Sequence, residues 1–347
     1  MRVRRDAHAM GDMEDERRGG RVDLSIVVPC YNEQDNISPL FDAVERAFKG
    51  QGIEYELVLV NDGSSDETLR AASRTPLPPS AARATVVDFS RNFGKESAIL
   101  AGLRSAEGAC VAIMDADLQQ PPAVLLAMYR ELEGRPDIDC VAAYQEKRRE
   151  NPAAAAVKEL FYRAFNAVSS VTIVPDASDF RVFRASVARA LLSMPEYFRF
   201  SKGMFSWVGF ATAPYPYTPD ERASGTTKWT FGRLLHYGVG GILSFTTFPL
   251  KLAAWVGAAA SVLALVFIVE TIVEWFATST MPSGYPTLVC LILLFGGLIL
   301  LTLGIIGEYI ARIYVETKRR PSYIARSVEV REGVHGAAEH PAPSSDL

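Results

Sequence analysis

"ACVAIMDADLQQPP", residues Ala109 to Pro122, carries an apolar run into two carboxylates one residue apart and then into a Pro-Pro turn. An apolar run of that length, bounded by turn residues, predicts a buried strand. The pattern recurs from Leu24 to about Ala143: "LSIVVP", "YELVLV", "ATVVDF", "ACVAIM" and "DCVAA" alternate with the helical-period stretches "SPLFDAVERAF", "DETLRAAS", "KESAILAGLRSA" and "AVLLAMYREL". Continuous apolar strands joined by helices predict an α/β fold, a mostly parallel sheet covered on both faces.

In such a sheet, ligands bind beyond the carboxyl ends of the strands. Those ends read "CYNEQDN", "NDGSSDE", "SRNFGKE" and "DADLQQPP", all rich in groups that bind oxygen or phosphate, while "KGQGIE" and "SAEGA" at the opposite edge read as plain turns. The first strand runs into "PCYNEQ" rather than GxGxxG, which disfavours a dehydrogenase, and "FGKES" lacks the frame of a phosphate loop.

Asp115 and Asp117, followed by Gln119, place oxygen donors at every second residue. Mg2+ or Mn2+ takes one or two such carboxylates and fills its shell with water and substrate phosphate. Alone, the turn reads equally as solvated surface. Asp62, Glu33 and Tyr31 at neighbouring strand ends suit a base and a ribose, and Lys95 at a helix start suits phosphate. Asp35 and Ser65 read as helix caps. Downstream, "ERASGTTKW" sets Arg222 and Lys228 around a Gly-Ser-Thr loop. Those two bases either fix topology and attract anionic lipid, or clamp a phosphate at the membrane surface.

The 347 residues include 36 basic and 40 acidic side chains, so the net charge of −4 gives no reason to expect nucleic acid. Cys30, Cys110, Cys140 and Cys290 show no metal-ligand spacing. His8, His335 and His340 fall in polar tails and only His236 lies in a patterned segment, which leaves almost no candidate for a histidine base. Residues 1–22 lack the apolar core of a secretory signal and read as a loose arm; residues 331–347 read as a disordered tail.

The apolar excess is concentrated in Leu252 to Val269 and Thr287 to Gly307, each uncharged and near the length that crosses about 30 Å of hydrocarbon. The connector carries Glu270 and Glu274 without Lys or Arg, whereas Lys251 precedes the first span and Lys318, Arg319 and Arg320 follow the second. The positive-inside rule then predicts an external hairpin with both flanks cytoplasmic. "WTFGRLLHYGVGGILSFTTFPLK" suits a helix lying in the interface. "VKELFYRAFNAVSSV" reads either so or as an ordinary amphipathic helix on the sheet. The domain reading is an arm at 1–22, a cytoplasmic domain at 23–229, an interfacial segment at 230–251, two spans within 252–307 and a cytoplasmic segment and tail at 308–347.

"VVPCYNE", "VNDGSSDET", "SRNFGKESAILAGL", "DADLQQPP", "DFRVFR" and "RASGTTKW", in that order and with two spans in the C-terminal third, resemble the polyprenyl-phosphate glycosyltransferases over residues 23–325. These are family-two transferases of Rossmann-like GT-A fold, such as bactoprenol glucosyltransferase and dolichol-phosphate mannose synthase. The resemblance implies inverting transfer of a hexose from a nucleotide sugar to polyprenyl (undecaprenyl) phosphate at the inner face of a bacterial membrane. UDP-glucose is the preferred donor, with GDP-mannose or a modified UDP-sugar as alternatives. It implies that Pro29, Tyr31, Glu33 and Asp62 bind the nucleoside, with Asp115 beside the nucleotide. Asp117 and Gln119, together with Asp115, hold the metal; Lys95 and Arg181 approach the diphosphate or sugar; Arg222 and Lys228 grip the lipid phosphate. Asp179 either orients the acceptor, accepts a proton, or only pairs with Arg181 or another base. Thr227 stands where the family's loop has Ser and keeps the hydroxyl.

Rival readings are weaker. Glycosidase carboxylates flank a bond from opposite sides, whereas Asp115 and Asp117 are neighbours. A processive polysaccharide synthase would carry QxxRW, which is missing. A non-catalytic scaffold keeping the fold is disfavoured by the intact "DAD". Glycines in the second span permit close packing in a homo-oligomer.

Overall fold

Strand β1 (Leu24–Cys30) sends Leu24, Ile26 and Val28 into one core and Val27 into another, and all four are fully buried. A strand covered on both faces has no use for polar alternation, and this one is written as an unbroken apolar run. The structure, a computed structural model, describes residues 22–145, 163, 177–218, 246–278 and 284–333.

The other strands are β2 (Tyr55–Asn61), β3 (Ala81–Phe89), β4 (Cys110–Ile113), β5 (Cys140–Gln145), β6 (Ala177–Arg184), β7 (Thr212–Tyr217) and β8 (Ala325–Glu332). The helices are α1 (Ile37–Phe48), α2 (Thr68–Arg74), α3 (Lys95–Ser105), α4 (Pro122–Gly134), α5 (Ala185–Ser193), α6 (Ser201–Trp207), α7 (Phe248–Thr278) and α8 (Tyr285–Thr317). The strands form one sheet in the order β7-β5-β6-β4-β1-β2-β3-β8. β1 pairs in parallel with both β2 and β4, while β6 and β8 run antiparallel to their neighbours. The mostly parallel α/β sheet expected from the sequence is present, and its direction of growth reverses at β1. The crevice outside the carboxyl ends of β1, β2 and β4 is where sheets of this kind receive a ligand.

One face of the sheet is covered by α1, through Ile37, Leu40, Phe41, Val44 and Phe48, and by α4, through Leu125, Met128 and Leu132. The other is covered by α3, α5 and α6, through Ile99, Leu103, Val187, Leu191, Met204 and Phe205. Gly102 lets α3 approach β1 closely, because a Cβ there would lie 2.2 Å from Val27 Cγ1. Truncating a strand residue such as Ile26 to Ala would cost about 2–5 kcal/mol.

All five strands expected from the sequence are present. β6, β7 and β8 are additional. β8 lay in a segment with no apolar run, since it is an exposed edge strand with Val328 and Val330 more than half exposed. It extends the sheet on β3 over seven residue pairs, from Arg83↔Glu332 to Phe89↔Ala325. Arg331 and Glu332, expected in a disordered tail, belong to this strand. Val22, expected in the loose arm, is buried and its carbonyl accepts from the Ala109 amide. Neither expected cap is used: α1 is capped at Asn36 without a side-chain bond, and it is Asp66 rather than Ser65 whose carboxylate takes the Thr68 amide at 3.0 Å.

α7 and α8 are long and apolar enough to cross a membrane, and their side chains are largely exposed: Trp255 75%, Phe276 74%, Leu300 71%. Phe248–Lys251, expected at the end of an interfacial segment, forms the first turn of α7 instead. Residues 230–245 of that segment, nearly all of "VKELFYRAFNAVSSV", and both Arg222 and Lys228 lie outside the described residues.

Candidate active site

Four loops meet at the carboxyl edge. After β2, Asp62 is buried and its carboxylate accepts from the Phe93 amide at 2.6 Å and the Gly94 amide at 2.9 Å. Burial raises its pKa, against the pull of those two amides. Gly63 follows in the left-handed region at φ +61°, and a Cβ there would lie 2.2 Å from the Arg91 backbone. The loops after β2 and β3 thus cross in contact, and Asp62 locks the crossing. Expected to bind nucleoside, its carboxylate is occupied in joining loops.

The lock sets the start of α3. Gly94 adopts φ +95°, and Lys95 opens the helix. The Lys95 ammonium lies 2.6 Å from Asp115 Oδ1, after β4, and 3.3 Å from Asp179 Oδ2, on β6. Burial disfavours the charge on Lys95, but Asp115 and Asp179 outweigh it and raise its pKa. Burial would likewise raise Asp179, but Lys95, then Lys202 and Arg181, hold its carboxyl below the usual carboxylate range. Asp179 Oδ1 is buried with no hydrogen-bond partner among the described residues. Of the open alternatives for this residue, pairing is what the geometry displays, and the base is Lys95.

Arg181, two residues along β6, is buried with its guanidinium 3.9 Å from the Phe205 ring centroid and one N–H on the Ser178 carbonyl at 2.9 Å. Its Nε is buried without a hydrogen-bond partner among the described residues. Orphaned atoms of opposite charge on Asp179 and Arg181 are polar capacity that folding has left unused.

The acidic turn departs from an extended chain. β4 ends at Ile113, and Leu118 takes a left-handed φ of +60°, so oxygen donors do not continue at every second residue. The Gln119 amide instead donates to Asp117 Oδ1 at 3.2 Å. Gln120, buried and overlooked in the sequence, fixes Asp115: its Oε1 accepts the Asp115 amide at 2.7 Å and its Nε2 donates to Oδ2 at 3.2 Å. Only its place beside Gln119 could have marked it.

At the end of β1, Pro29 pairs in register with Val60, and Tyr31 is 38% exposed. Glu33 accepts from Asn36 Nδ2 at 2.6 Å, and its amide donates to Thr68 Oγ1 at 2.8 Å. The buried Cys30 thiol reports how these anions gather: burial, then the carboxylates of Glu33, Asp115 and Asp66, push its pKa well up. Carboxylates from three strand ends thus act on one thiol at this edge.

No group of three or more His, Cys, Asp or Glu side chains forms a metal cage among the described residues. The donors on the acidic turn fit a different mode, in which a hard cation takes one or two protein oxygens and leaves the rest of its shell to water and phosphate. Asp115 is engaged by Lys95 and Gln120; Asp117 and Gln119 carry the turn's other side-chain oxygen donors.

Residues 25–192 match the model of Glycosyl transferase family 2. A Bacillus subtilis (strain 168) protein named as the glycosyltransferase CsbB is 37% identical over 88% of this chain and 92% of its own. The prophage bactoprenol glucosyl transferase homolog of Escherichia coli (strain K12) is 34% identical over 88% of this chain and 99% of its own. A solved structure of glucosyl-3-phosphoglycerate synthase from Mycobacterium tuberculosis with Mn2+, uridine diphosphate and glucosyl-3-phosphoglycerate is 18% identical, with a TM-score of 0.44 over 63% of this chain and 77% of that one.

Proposed function

The chain belongs to glycosyl transferase family 2 and is a glycosyltransferase, and from that premise we propose that it moves a hexose, with UDP-glucose the preferred donor, to polyprenyl phosphate at the cytoplasmic face of a membrane. The observation that carries this reading is the Asp115–Lys95–Asp179 cluster beside the Asp117 turn, at the sheet edge to which the segment leaving α8 returns. The similarity to bactoprenol glucosyl transferases supports the lipid acceptor and the glucose.

The arrangement of the chain supports the topology. β8, which follows α8, joins the catalytic sheet, and Tyr309 near the end of α8 donates to the Thr246 carbonyl before α7 at 2.8 Å, so the two outer flanks lie side by side. Two crossings with adjacent outer flanks make a hairpin. With Lys251 at one flank and Lys318, Arg319 and Arg320 at the other, that side is cytoplasmic.

In the proposed reaction an oxygen of the acceptor phosphate attacks the anomeric carbon. The bond from that carbon to the nucleoside diphosphate breaks on the opposite side, with inversion. Tyr31 and Glu33, with Pro29 and Asp62 setting the floor, receive the nucleoside. Asp117 and Gln119 hold a divalent cation, Mg2+ or Mn2+, which when bound offsets the charge of the departing diphosphate. Lys95 has three donors, two of them directed at Asp115 and Asp179, and keeps one for a diphosphate oxygen. Arg181 supplies a further cation near the diphosphate or sugar. Asp179 stays ionised and orients the cluster. The acceptor is itself an anion at neutral pH, so the step needs no strong base. Arg222 and Lys228 grip its phosphate, Arg with two donors and Lys as a point charge.

The test is transfer from radiolabelled UDP-glucose, other UDP-sugars and GDP-mannose to undecaprenyl phosphate by the full chain in detergent, with and without Mg2+. Metal-dependent lipid-linked product from UDP-glucose is expected. Product only from another donor would correct the sugar, and no product from any donor despite nucleotide binding would favour the non-catalytic scaffold.

A further inference from the structure

The first turn of α3 points three consecutive side chains in three directions, about 100° apart and within about 3 Å along the axis. Lys95 enters the site. Glu96 accepts two hydrogen bonds from Ser201 at the start of α6, from the amide at 3.0 Å and from Oγ at 2.5 Å. Ser97 Oγ reaches the Ser322 carbonyl at 3.0 Å and the Phe93 carbonyl at 3.2 Å.

Both outer partners lead to the end of α8. Ser322 lies five residues beyond that helix, in a segment anchored where Tyr323 stacks on Phe89 at 4.8 Å and the Ser90 amide donates to the Ile324 carbonyl at 3.0 Å. Ser201 follows a loop whose Tyr197 amide donates to Glu316 Oε1, in the last turn of α8, at 2.9 Å. The neighbouring Phe198 ring lies under the Arg312 guanidinium at 4.9 Å. The two routes out of α8 therefore grip the same helical turn from two sides.

We propose that Glu96 and Ser97 are positioning residues, through which the end of helix α8 fixes the placement of Lys95 in the active site. The inference rests on the proposed function for what Lys95 does, but not for the joint itself. The first turn of a helix moves as a unit, so loosening either grip shifts the ammonium relative to Asp115 and Asp179. Misplacement by about 1 Å can cost about 100-fold in rate.

The experiment uses the full chain in lipid nanodiscs, with UDP-glucose and undecaprenyl phosphate as substrates and hydrogen exchange as a second readout. Ser97→Ala and Ser201→Ala are each expected to lower kcat about tenfold with KM for UDP-glucose within about twofold, and Ser97→Thr, which keeps the hydroxyl, to restore most of the rate. Glu316→Ala, at an exposed position on α8 that removes the acceptor of the Tyr197 amide, is expected to lower kcat severalfold. Combined with Ser201→Ala it should do no more than Ser201→Ala alone, because both cut one route. Exchange at residues 95–105 should quicken in Ser97→Ala and Glu316→Ala while β1 and β2 stay protected. Unchanged kcat and unchanged exchange in these variants would overturn the proposal, as would a Ser97→Thr variant no better than Ser97→Ala. Failure of the wild type to make lipid-linked sugar would defeat the functional reading, and the exchange result would then decide the joint alone.

Discussion

The two ends of the sheet handle buried charge in opposite ways. At the amino end Glu56 is fully buried and its carboxylate is saturated: Ser25 Oγ donates at 2.5 Å, Arg83 Nε at 2.6 Å and the Glu107 amide at 2.7 Å. Arg83 also meets the Glu107 carboxylate at 2.9 Å. At the carboxyl end Asp179 and Arg181 each keep a buried atom without a hydrogen-bond partner among the described residues, and the Lys95 side chain is 40% exposed. A saturated network rigidifies a fold, whereas unused polar capacity in a crevice is kept for a ligand. One end of the sheet is finished by folding, and the other keeps the polar capacity that the proposed substrate would use.

The sharpest way to break that contrast is Asp117→Ala. Removing the turn's half-buried carboxylate should lower sugar transfer by about 1000-fold, on the scale of a lost electrostatic contact to the transition state. Its thermal midpoint should stay within about 4 °C of wild type, since the bond lost from the Gln119 amide is worth about 1 kcal/mol. Loss of folding instead would put this end in the same class as the other.

Glu56→Ala is the converse. Removing one partner of a buried pair costs about 3–5 kcal/mol, read as a lower denaturation midpoint, while protein that remains folded should transfer sugar at close to the wild-type rate. A variant as stable as wild type would contradict the assignment of the amino end to structure.

Lys95→Ala should reduce transfer by about 100-fold and remove the cation that bridges Asp115 and Asp179. Ultraviolet melts and a rate assay on the same preparation would separate the two consequences. Asp179 sharpens the contrast through pH. Its pKa is depressed in the folded state, so the stability it contributes is complete above the unfolded value of 3.8 and is lost as pH falls through the lower folded value. The stability difference between wild type and Asp179→Asn should therefore be constant from neutral pH down to about 4 and shrink only below that. A difference that begins to fall near pH 6 would mean that the carboxyl is not held ionised by its neighbours.

The smallest effect belongs to β8. Arg326 lies 3.6 Å from Asp88 but is 65% exposed, so Arg326→Ala should cost no more than about 1 kcal/mol in a denaturation midpoint.

The sequence exposed the central strands because burial on both faces writes them as apolar runs, and it exposed the loops of the site because strand ends in such a sheet are where polar clusters have no structural excuse. It did not expose Glu56, which interrupts "YELVLV" as one polar letter and makes sense only with Ser25, Arg83 and Glu107 brought from elsewhere in the chain. "SAEGA" read as a plain turn for the same reason. The pairing of Lys95 with Asp179 spans 84 residues of sequence, and the docking of β8 on β3 is set by an edge whose exposed residues carry no apolar period. Gln120 and Leu118 escaped because a left-handed residue breaks the strand's alternation inside the turn. Local pattern reveals burial; it does not reveal which distant charges are brought to meet.

The central claim is that the acidic turn receives a nucleotide together with a divalent cation. Calorimetric titration of UDP into the full chain in nanodiscs, with Mg2+ and then with EDTA, for wild type and Asp117→Ala, tests it directly. Binding at least tenfold weaker in EDTA, with Asp117→Ala equally weak under both conditions, is the predicted result. Wild-type affinity that ignores Mg2+, or an Asp117→Ala variant that keeps the metal dependence, would contradict it.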